Sequence, residues 1–114
     1  GAMTSEAAIQ AGVLQGLAKR KLFCWRSNTG SLPDATGRRV SFGLAGSADI
    51  IGMLPSGRFL AIEVKAKLGK QSMAQIRFEQ AVHANNGVYL VARDVDLCLS
   101  QVDAAIALDN GTAF

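Results

Sequence analysis

Two charged side chains, Glu63 and Lys65, end an otherwise apolar segment at residues 59–65. Because successive residues of a strand point to opposite faces, we expect both charges on one face and an apolar row on the other. Removing a carboxylate and an ammonium from water costs free energy unless another group compensates for the loss. A divalent cation bound by the carboxylate, with the lysine beside it, would provide that compensation.

A second carboxylate, Asp49, reaches the same place if the intervening turn closes as its residues suggest. Pro55-Ser56-Gly57 is typical of a three-residue hairpin loop, because proline fixes φ and glycine adopts left-handed conformations. Such a loop puts Asp49 opposite Glu63, with Cβ atoms ~5 Å apart on one face. A two-residue turn would instead pair Asp49 with Val64 and separate the two carboxylates.

Two further side chains, Glu6 and Gln75, are candidates for the same site, and each also has a structural explanation. Glu6 lies one turn before Ile9 on a predicted helix, where it would either stabilise the helix dipole or face the site. Gln75 matches the capping box Ser72-x-x-Gln75, and it also shares a helix face with apolar residues that would turn it toward the sheet.

The chemistry that these residue types suggest is phosphodiester hydrolysis. Oxygen ligands without His or Cys clusters suit Mg²⁺ or Mn²⁺ rather than zinc. One or two such ions, bound by two or three carboxylates, polarise a scissile phosphate and lower the pKa of an attacking water. Lys65 could orient that water or neutralise charge in the transition state. We expect no small-molecule cofactor.

The elements that must position these residues follow the order αβββαβα, a mixed sheet flanked by helices. We expect helices at residues 5–19, at 72–84 and from Asp94 or Asp96 to about 108, and strands at 22–28, 46–54, 59–65 and 88–92. The apolar strand 88–92 is typical of an interior strand parallel to its neighbour. Residues 29–45 are rich in Gly, Ser and Arg, which predicts a mobile loop.

The composition indicates one globular domain. The chain has 114 residues, of which 49% are hydrophobic and 18% charged. We interpret Gly1-Ala2-Met3 as a remnant of protease cleavage after expression, and residues 4–114 as the domain. The sequence contains no signal-peptide pattern and no apolar run of about 18 residues that would cross a membrane. Cys24 and Cys98 are widely spaced, which favours free thiols in a reducing cytoplasm.

The charge is unevenly distributed along the chain. Residues 1–77 contain eleven Lys and Arg against four Asp and Glu, whereas residues 78–114 contain one Arg against five Asp and Glu. A basic first part suggests a polyanionic partner, and a solubilising surface is the alternative explanation.

Several segments resemble the VRR-NUC (virus-type replication-repair nuclease) domain of the restriction-endonuclease-like superfamily, between about residues 5 and 95. Asp49 followed by Glu63-Val64-Lys65 resembles the D…ExK core of that superfamily. The other matching features are GSADIIG at 46–52, IEVK at 62–65, the turn at Gly69, Gln75, the helix with Glu6 and WRSNTG at 25–30. The chain has Ala48 where the family has proline, which is not a ligand.

The resemblance implies that Asp49, Glu63 and the main-chain carbonyl of Val64 bind Mg²⁺ or Mn²⁺. It also implies that Lys65 is the catalytic lysine, assisted by Glu6 and Gln75. Small members similar to Holliday-junction resolvases are expected to act as homodimers on branched DNA such as four-way junctions. The side chains that we expect to contact nucleic acid are Arg26, Arg38, Arg39, Lys67 and Lys70.

Two other functions compete with this interpretation. A non-catalytic DNA-binding module with the same fold would bind DNA without cutting it, but it would have no need for Asp49, Glu63 and Lys65 together. A sequence-specific restriction enzyme would need base-reading elements for which the chain is short.

The remaining distinctive side chains have simple explanations. We expect His83 at the surface or as a helix-capping residue. Trp25 is expected in the core, with stacking on a nucleic-acid base as the alternative. Arg77 and Arg93 are expected to be solvated charges.

Overall fold

The computed structural model describes residues 4–27 and 30–111, which form an α/β fold with a mixed sheet and three helices. In chain order the elements are α1 (Glu6–Lys19), β1 (Phe23–Arg26), β2 (Gly30–Pro33), β3 (Arg39–Phe42), β4 (Ile50–Met53), β5 (Phe59–Val64), α2 (Met73–Ala84), β6 (Val88–Ala92) and α3 (Val95–Asp109). Gly1-Ala2-Met3, and Asn28 and Thr29 of the WRSNTG segment, lie outside the described residues. The predicted helices and strands are present, but the predicted order αβββαβα lacks β2 and β3.

Four strands form the main sheet in the order β1-β4-β5-β6. Strand β4 is antiparallel to β1 and β5, whereas β5 and β6 run parallel, as predicted. The expectation that β6 is interior is wrong, because β6 forms an edge of this sheet in the described part of the chain. Its sequence is apolar because α2 and α3 pack against its two faces and bury Tyr89 and Ala92.

The two faces of β5 differ as the alternation of its residues predicts. Leu60, Ile62 and Val64 form the apolar row, and they pack with α1 and α3 in the larger core. Ala61 lies on the opposite face, in a smaller core with Tyr89 and residues of α2. Glu63 follows Ala61 on that second face.

Each helix begins at a side chain that accepts a hydrogen bond from the backbone N–H three residues later. These N-caps are Ser5, Ser72 and Asp94. The cap at Asp94 excludes Asp96 as the start of α3. After α2, Asn86 has φ +63°, which is the left-handed residue expected at this helix end.

A two-stranded antiparallel sheet occupies most of the segment 29–45, so the expectation of a mobile loop there is wrong. Strands β2 and β3 are joined by a turn in which the Asp34 carboxylate accepts the N–H of Arg38 at 3.0 Å. Gly37 has φ +85° in this turn. Asp34 and Gly37 therefore form a hairpin turn within the segment that was predicted to be a mobile loop.

The core position expected for Trp25 is also wrong, because 47% of its surface is exposed. Trp25 lies on the edge strand β1, and its ring packs edge-to-face against Phe23 with centroids 5.4 Å apart. Helix α2 packs on β6, which forms the opposite edge of the sheet from β1. A tryptophan on this strand is therefore left at the surface.

Both cysteines are free, as predicted, and Cys98 is buried. Burial raises the pKa of the Cys98 thiol to about 11, so this group is an unreactive core residue. None of the helices in residues 4–27 and 30–111 has the length and hydropathy needed to cross a membrane.

Candidate active site

The hairpin between β4 and β5 has the register that the sequence predicts. Leu54 N–H donates to the Arg58 carbonyl at 2.9 Å across the Pro55-Ser56-Gly57 loop, so this loop has three residues. The ladder continues to the pair Ile50 and Ile62, directly before the two carboxylates. One further step along the same register puts Asp49 opposite Glu63.

Asp49 is held by main-chain groups on both sides. Its Oδ2 atom accepts the Val64 N–H at 2.7 Å, and its carbonyl accepts the Ser27 N–H at 2.7 Å. The turn that leads to Asp49 passes close to the start of α2, since a Cβ at Gly46 would collide with the Ala74 carbonyl. Gly46 also has φ +79°, in the left-handed region. Glycine is required at this position for both reasons.

Glu63 is a buried carboxyl with an unsatisfied oxygen. Only 3% of the residue is exposed, and within the described residues its Oε2 atom has no hydrogen-bond partner. Burial, followed by the hydrogen bond and the charge of the Asp49 carboxyl, raises the pKa of Glu63 to about 8, whereas Lys65 opposes the rise. Glu63 and Asp49 are therefore close enough to share a proton or a cation.

Lys65 lies directly after β5 and is half-buried. Its positive charge lowers the pKa of Glu63, and the alternation of the strand puts Lys65 on the same face as that carboxyl. A Cβ built at Gly69 would lie 3.5 Å from Lys65 Cδ, so the stem of the lysine runs beside the following turn. The chain thus brings a carboxylate pair and an amine to one end of β5.

Glu6 reaches this end of β5 from the first turn of α1. Its Oε1 atom accepts the Ala66 N–H at 3.1 Å. A cleft of about 230 Å³ is lined by Glu6, Ala7, Gln10, Asp49 and Val64. The position of Glu6 therefore fits the second of its two predicted roles, in which it faces the site.

Gln75 serves as the capping residue that its motif predicts. Its Oε1 atom accepts the Ser72 N–H at 2.8 Å, and its own N–H donates to Ser72 Oγ at 3.2 Å. These bonds hold the side chain at the start of α2. The geometry thus supports the structural explanation of Gln75, although its backbone borders the turn at Gly46.

The groups that could hold a divalent cation are the two carboxylates and the backbone of Val64. The described residues contain no group of three or more His, Cys, Asp or Glu side chains arranged to bind a metal ion. Mg²⁺ and Mn²⁺ need fewer protein ligands, because they are often bound through one or two carboxylates and retain several waters. The unpartnered Oε2 atom of Glu63 beside Asp49 fits such an ion.

The basic residues expected to contact nucleic acid lie in three places. Lys67 and Lys70 are exposed on the turn that follows Lys65. Arg26 is exposed at the end of β1, where it pairs with the residue that follows Asp49. Arg38 and Arg39 lie on the β2–β3 hairpin, at the turn and at the start of β3. The first group follows β5 directly, Arg26 lies on the strand next to β4, and the third group belongs to a separate sheet.

Arg93 is the residue near the site that the sequence interpretation missed. It is not simply solvated, because its Nη1 atom donates to the carbonyls of Ala66 and Lys67 at 2.7 and 3.3 Å. The sequence does contain a signal for this position. Arg93 directly follows a strand predicted to be parallel to its neighbour, and parallel strands end at the same edge of a sheet, so Arg93 could be expected near Lys65.

His83 and Arg77 lie where they were expected. His83 is at the surface of α2, 3.2 Å from the Glu79 carboxylate. Arg77 is exposed on the same helix.

Comparisons of the chain with protein-family models, with curated proteins and with solved structures found no match. A functional interpretation therefore depends on the residues and the geometry described above.

Proposed function

We propose that this chain is a Mg²⁺- or Mn²⁺-dependent endonuclease that hydrolyses phosphodiester bonds in branched DNA, such as four-way junctions. The observation that carries this proposal is the buried Glu63 carboxyl, which has an unpartnered oxygen beside Asp49 and a lysine within electrostatic reach. A buried carboxyl oxygen without a hydrogen-bond partner costs free energy, so its presence supports a ligand or a reaction at this place. A protein that only binds DNA gains nothing from it.

The side chains present divide the work of such a reaction. A cation bound by Asp49, Glu63 and the Val64 carbonyl would polarise the scissile phosphate and lower the pKa of a nearby water. Asp49 is already oriented by its hydrogen bond from the Val64 N–H, so it needs little rearrangement. Glu63 would bind such a cation in its ionised form. Lys65 orients the water or stabilises the charge that develops on the phosphate.

The surroundings of the site support a polyanionic substrate. Lys67 and Lys70 are exposed on the turn after Lys65, and Arg26 is exposed at the end of β1; cationic side chains of this kind bind phosphates without reading the sequence. The preference for branched DNA and a homodimeric state are proposed from the family resemblance. In such a dimer, two copies of the site would cut opposite strands of a junction.

The proposal is tested by cleavage assays on Lys65→Ala with labelled duplex, flap, splayed and four-way DNA, each with Mg²⁺, Mn²⁺ or a chelator. We expect metal-dependent cleavage by the unmodified chain and a loss of at least roughly 100-fold in Lys65→Ala, while DNA binding is retained. Arg77→Ala is the matched control, because it removes one positive charge from an exposed position on α2.

Two results would count against hydrolysis. Undiminished cleavage by Lys65→Ala would exclude this site as the source of the activity. DNA binding by the unmodified chain without scission in either metal would indicate the alternative function, a DNA-binding module that retains the nuclease fold.

A further inference from the structure

The turn between β5 and α2, residues 66–71, is held in place by side chains from α1, α2 and β6 and from the residue that follows β6. At the start of the turn, Arg93 Nη1 donates to the Ala66 carbonyl at 2.7 Å and to the Lys67 carbonyl at 3.3 Å. Glu6 Oε1 accepts the N–H of Ala66 from the other side, at 3.1 Å. The backbone of Ala66 is therefore bound at both its N–H and its carbonyl.

The other end of the turn is also fixed. Gln71 Nε2 donates to Tyr89 Oη at 3.2 Å and to Glu79 Oε1 at 3.1 Å. These bonds join the turn to β6 and to α2. A connection of this length would be free to move if it lacked such contacts, because most loops lie at the surface and are mobile.

Arg93 is placed for this role by the sheet itself. Lys65 N–H donates to the Ala92 carbonyl at 3.0 Å, which is the last contact of the parallel pair before Arg93. The guanidinium therefore reaches the turn from the strand that neighbours Lys65. Both bonds come from Nη1, whose two hydrogens are fixed in the plane of the guanidinium, whereas a lysine ammonium rotates on a flexible stem.

The position of the turn determines the space available to the Lys65 side chain. The Ala66 carbonyl that accepts from Arg93 also accepts the Gly69 N–H at 3.0 Å. Gly69 in turn lies beside the stem of Lys65, where a Cβ would be 3.5 Å from Cδ. One carbonyl thus connects the guanidinium to the backbone against which the lysine lies.

We propose that Arg93 is a positioning residue, which fixes the turn 66–71 so that the Lys65 ammonium stays beside Glu63. This inference rests on the proposed nuclease function, and it adds a residue to which that function assigns no role. Arg93 acts through the turn and Lys65, not by touching the reacting phosphate. Its loss should therefore reduce the rate at saturating substrate more than it reduces DNA affinity.

The first test uses no DNA and measures the turn directly. In ¹⁵N–¹H spectra of the full chain, Arg93→Ala should shift the amide signals of Ala66, Lys67 and Gly69 and speed hydrogen exchange at Gly69 about tenfold. Arg77→Ala removes the same charge from α2 and should leave these signals in place. Circular dichroism and the unfolding midpoint show whether each variant is folded, and Arg93→Lys provides a second variant that keeps the charge.

The second test is single-turnover cleavage with Mg²⁺ or Mn²⁺, together with DNA affinity measured in Ca²⁺. Arg93→Ala should lower the saturated rate about tenfold and change the dissociation constant by less than about threefold. Arg93→Lys should recover part of the rate, because its ammonium can still donate to one carbonyl, and Arg77→Ala should match the unmodified chain.

Two results would overturn the role of Arg93, and a third would distinguish its failure from a failure of the proposed nuclease function. Unchanged amide signals in Arg93→Ala would show that Arg93 does not hold the turn. A loss of DNA affinity with an unchanged saturated rate would show that Arg93 only contacts phosphate. If the unmodified chain does not cleave DNA in either metal, the proposed function fails, and the amide signals alone decide whether Arg93 positions the turn.

Discussion

Replacing Glu63 with glutamine should stabilise the metal-free protein near pH 8. The fold buries this carboxyl and raises its pKa from 4.5 to about 8, first by burial and then through the carboxyl of Asp49. Glutamine has nearly the same size and remains neutral at every pH. The substitution therefore removes the cost of ionising a buried group and leaves the packing almost unchanged.

The sign and size of the effect follow from proton linkage. Between pH 4.5 and about 8, Glu63 is ionised in the unfolded chain and protonated in the native state. The native state then binds more protons, so the free energy of unfolding falls as the pH rises, by ~1.4 kcal/mol per pH unit. This contribution to the free energy of unfolding is complete below pH 4.5 and is lost above pH 8, a total of at most about 5 kcal/mol for a pKa that rises from 4.5 to about 8.

Urea unfolding at pH 5, 6, 7 and 8 in the presence of a chelator measures this contribution. The difference in unfolding free energy between Glu63→Gln and the unmodified chain should grow with pH, since the background titration of other groups cancels. Asp96→Asn is the control, because Asp96 is exposed on α3. Equal pH dependence in Glu63→Gln and the unmodified chain would refute the inference that the fold keeps this carboxyl protonated.

Divalent metal provides a second arm of the same experiment. A cation that binds the native state stabilises it by ~2.7 kcal/mol at a concentration 100 times its dissociation constant. Mn²⁺ should therefore restore stability to the unmodified chain at pH 8 and have much less effect on Glu63→Gln. An equal effect on both proteins would show that Glu63 is not a ligand.

Two further substitutions test how the site is supported. Gly46→Ala should cost about 3 kcal/mol, because a Cβ would meet the Ala74 carbonyl at positive φ, whereas Gly57→Ala, also at positive φ but in open space, should cost about 1 kcal/mol. Equal costs in urea unfolding would show that Gly46 does not pack against α2. Ser72→Ala should lower the unfolding free energy by about 1 kcal/mol through loss of the capping box, and an unchanged midpoint would contradict this role.

The features that the sequence predicts well depend on local signals. The positions of Asp49 and Glu63 follow from a three-residue loop and from the alternation of β5, both of which are encoded within a few residues. The N-caps Ser5 and Ser72 are similarly local. These signals were sufficient to predict the register of the hairpin and the carboxylate pair.

The features that the sequence does not predict depend on distant parts of the chain. Whether Trp25 is buried depends on which half of the sheet α2 covers, and no residue near Trp25 encodes that. Arg93 bonds to carbonyls 26 and 27 positions earlier, so its role emerges only when β6 pairs with β5. The edge position of β6 could not be predicted for a related reason. A strand with both faces buried is apolar whether it lies at the edge or in the interior of a sheet.

Anomalous diffraction from crystals grown with Mn²⁺ would locate the cation that Asp49 and Glu63 are proposed to bind together. We expect an anomalous peak within about 2.5 Å of an oxygen of each carboxylate, and its loss in Glu63→Gln. Mn²⁺ bound only at other places, with Asp49 and Glu63 left in direct contact with each other, would contradict this expectation.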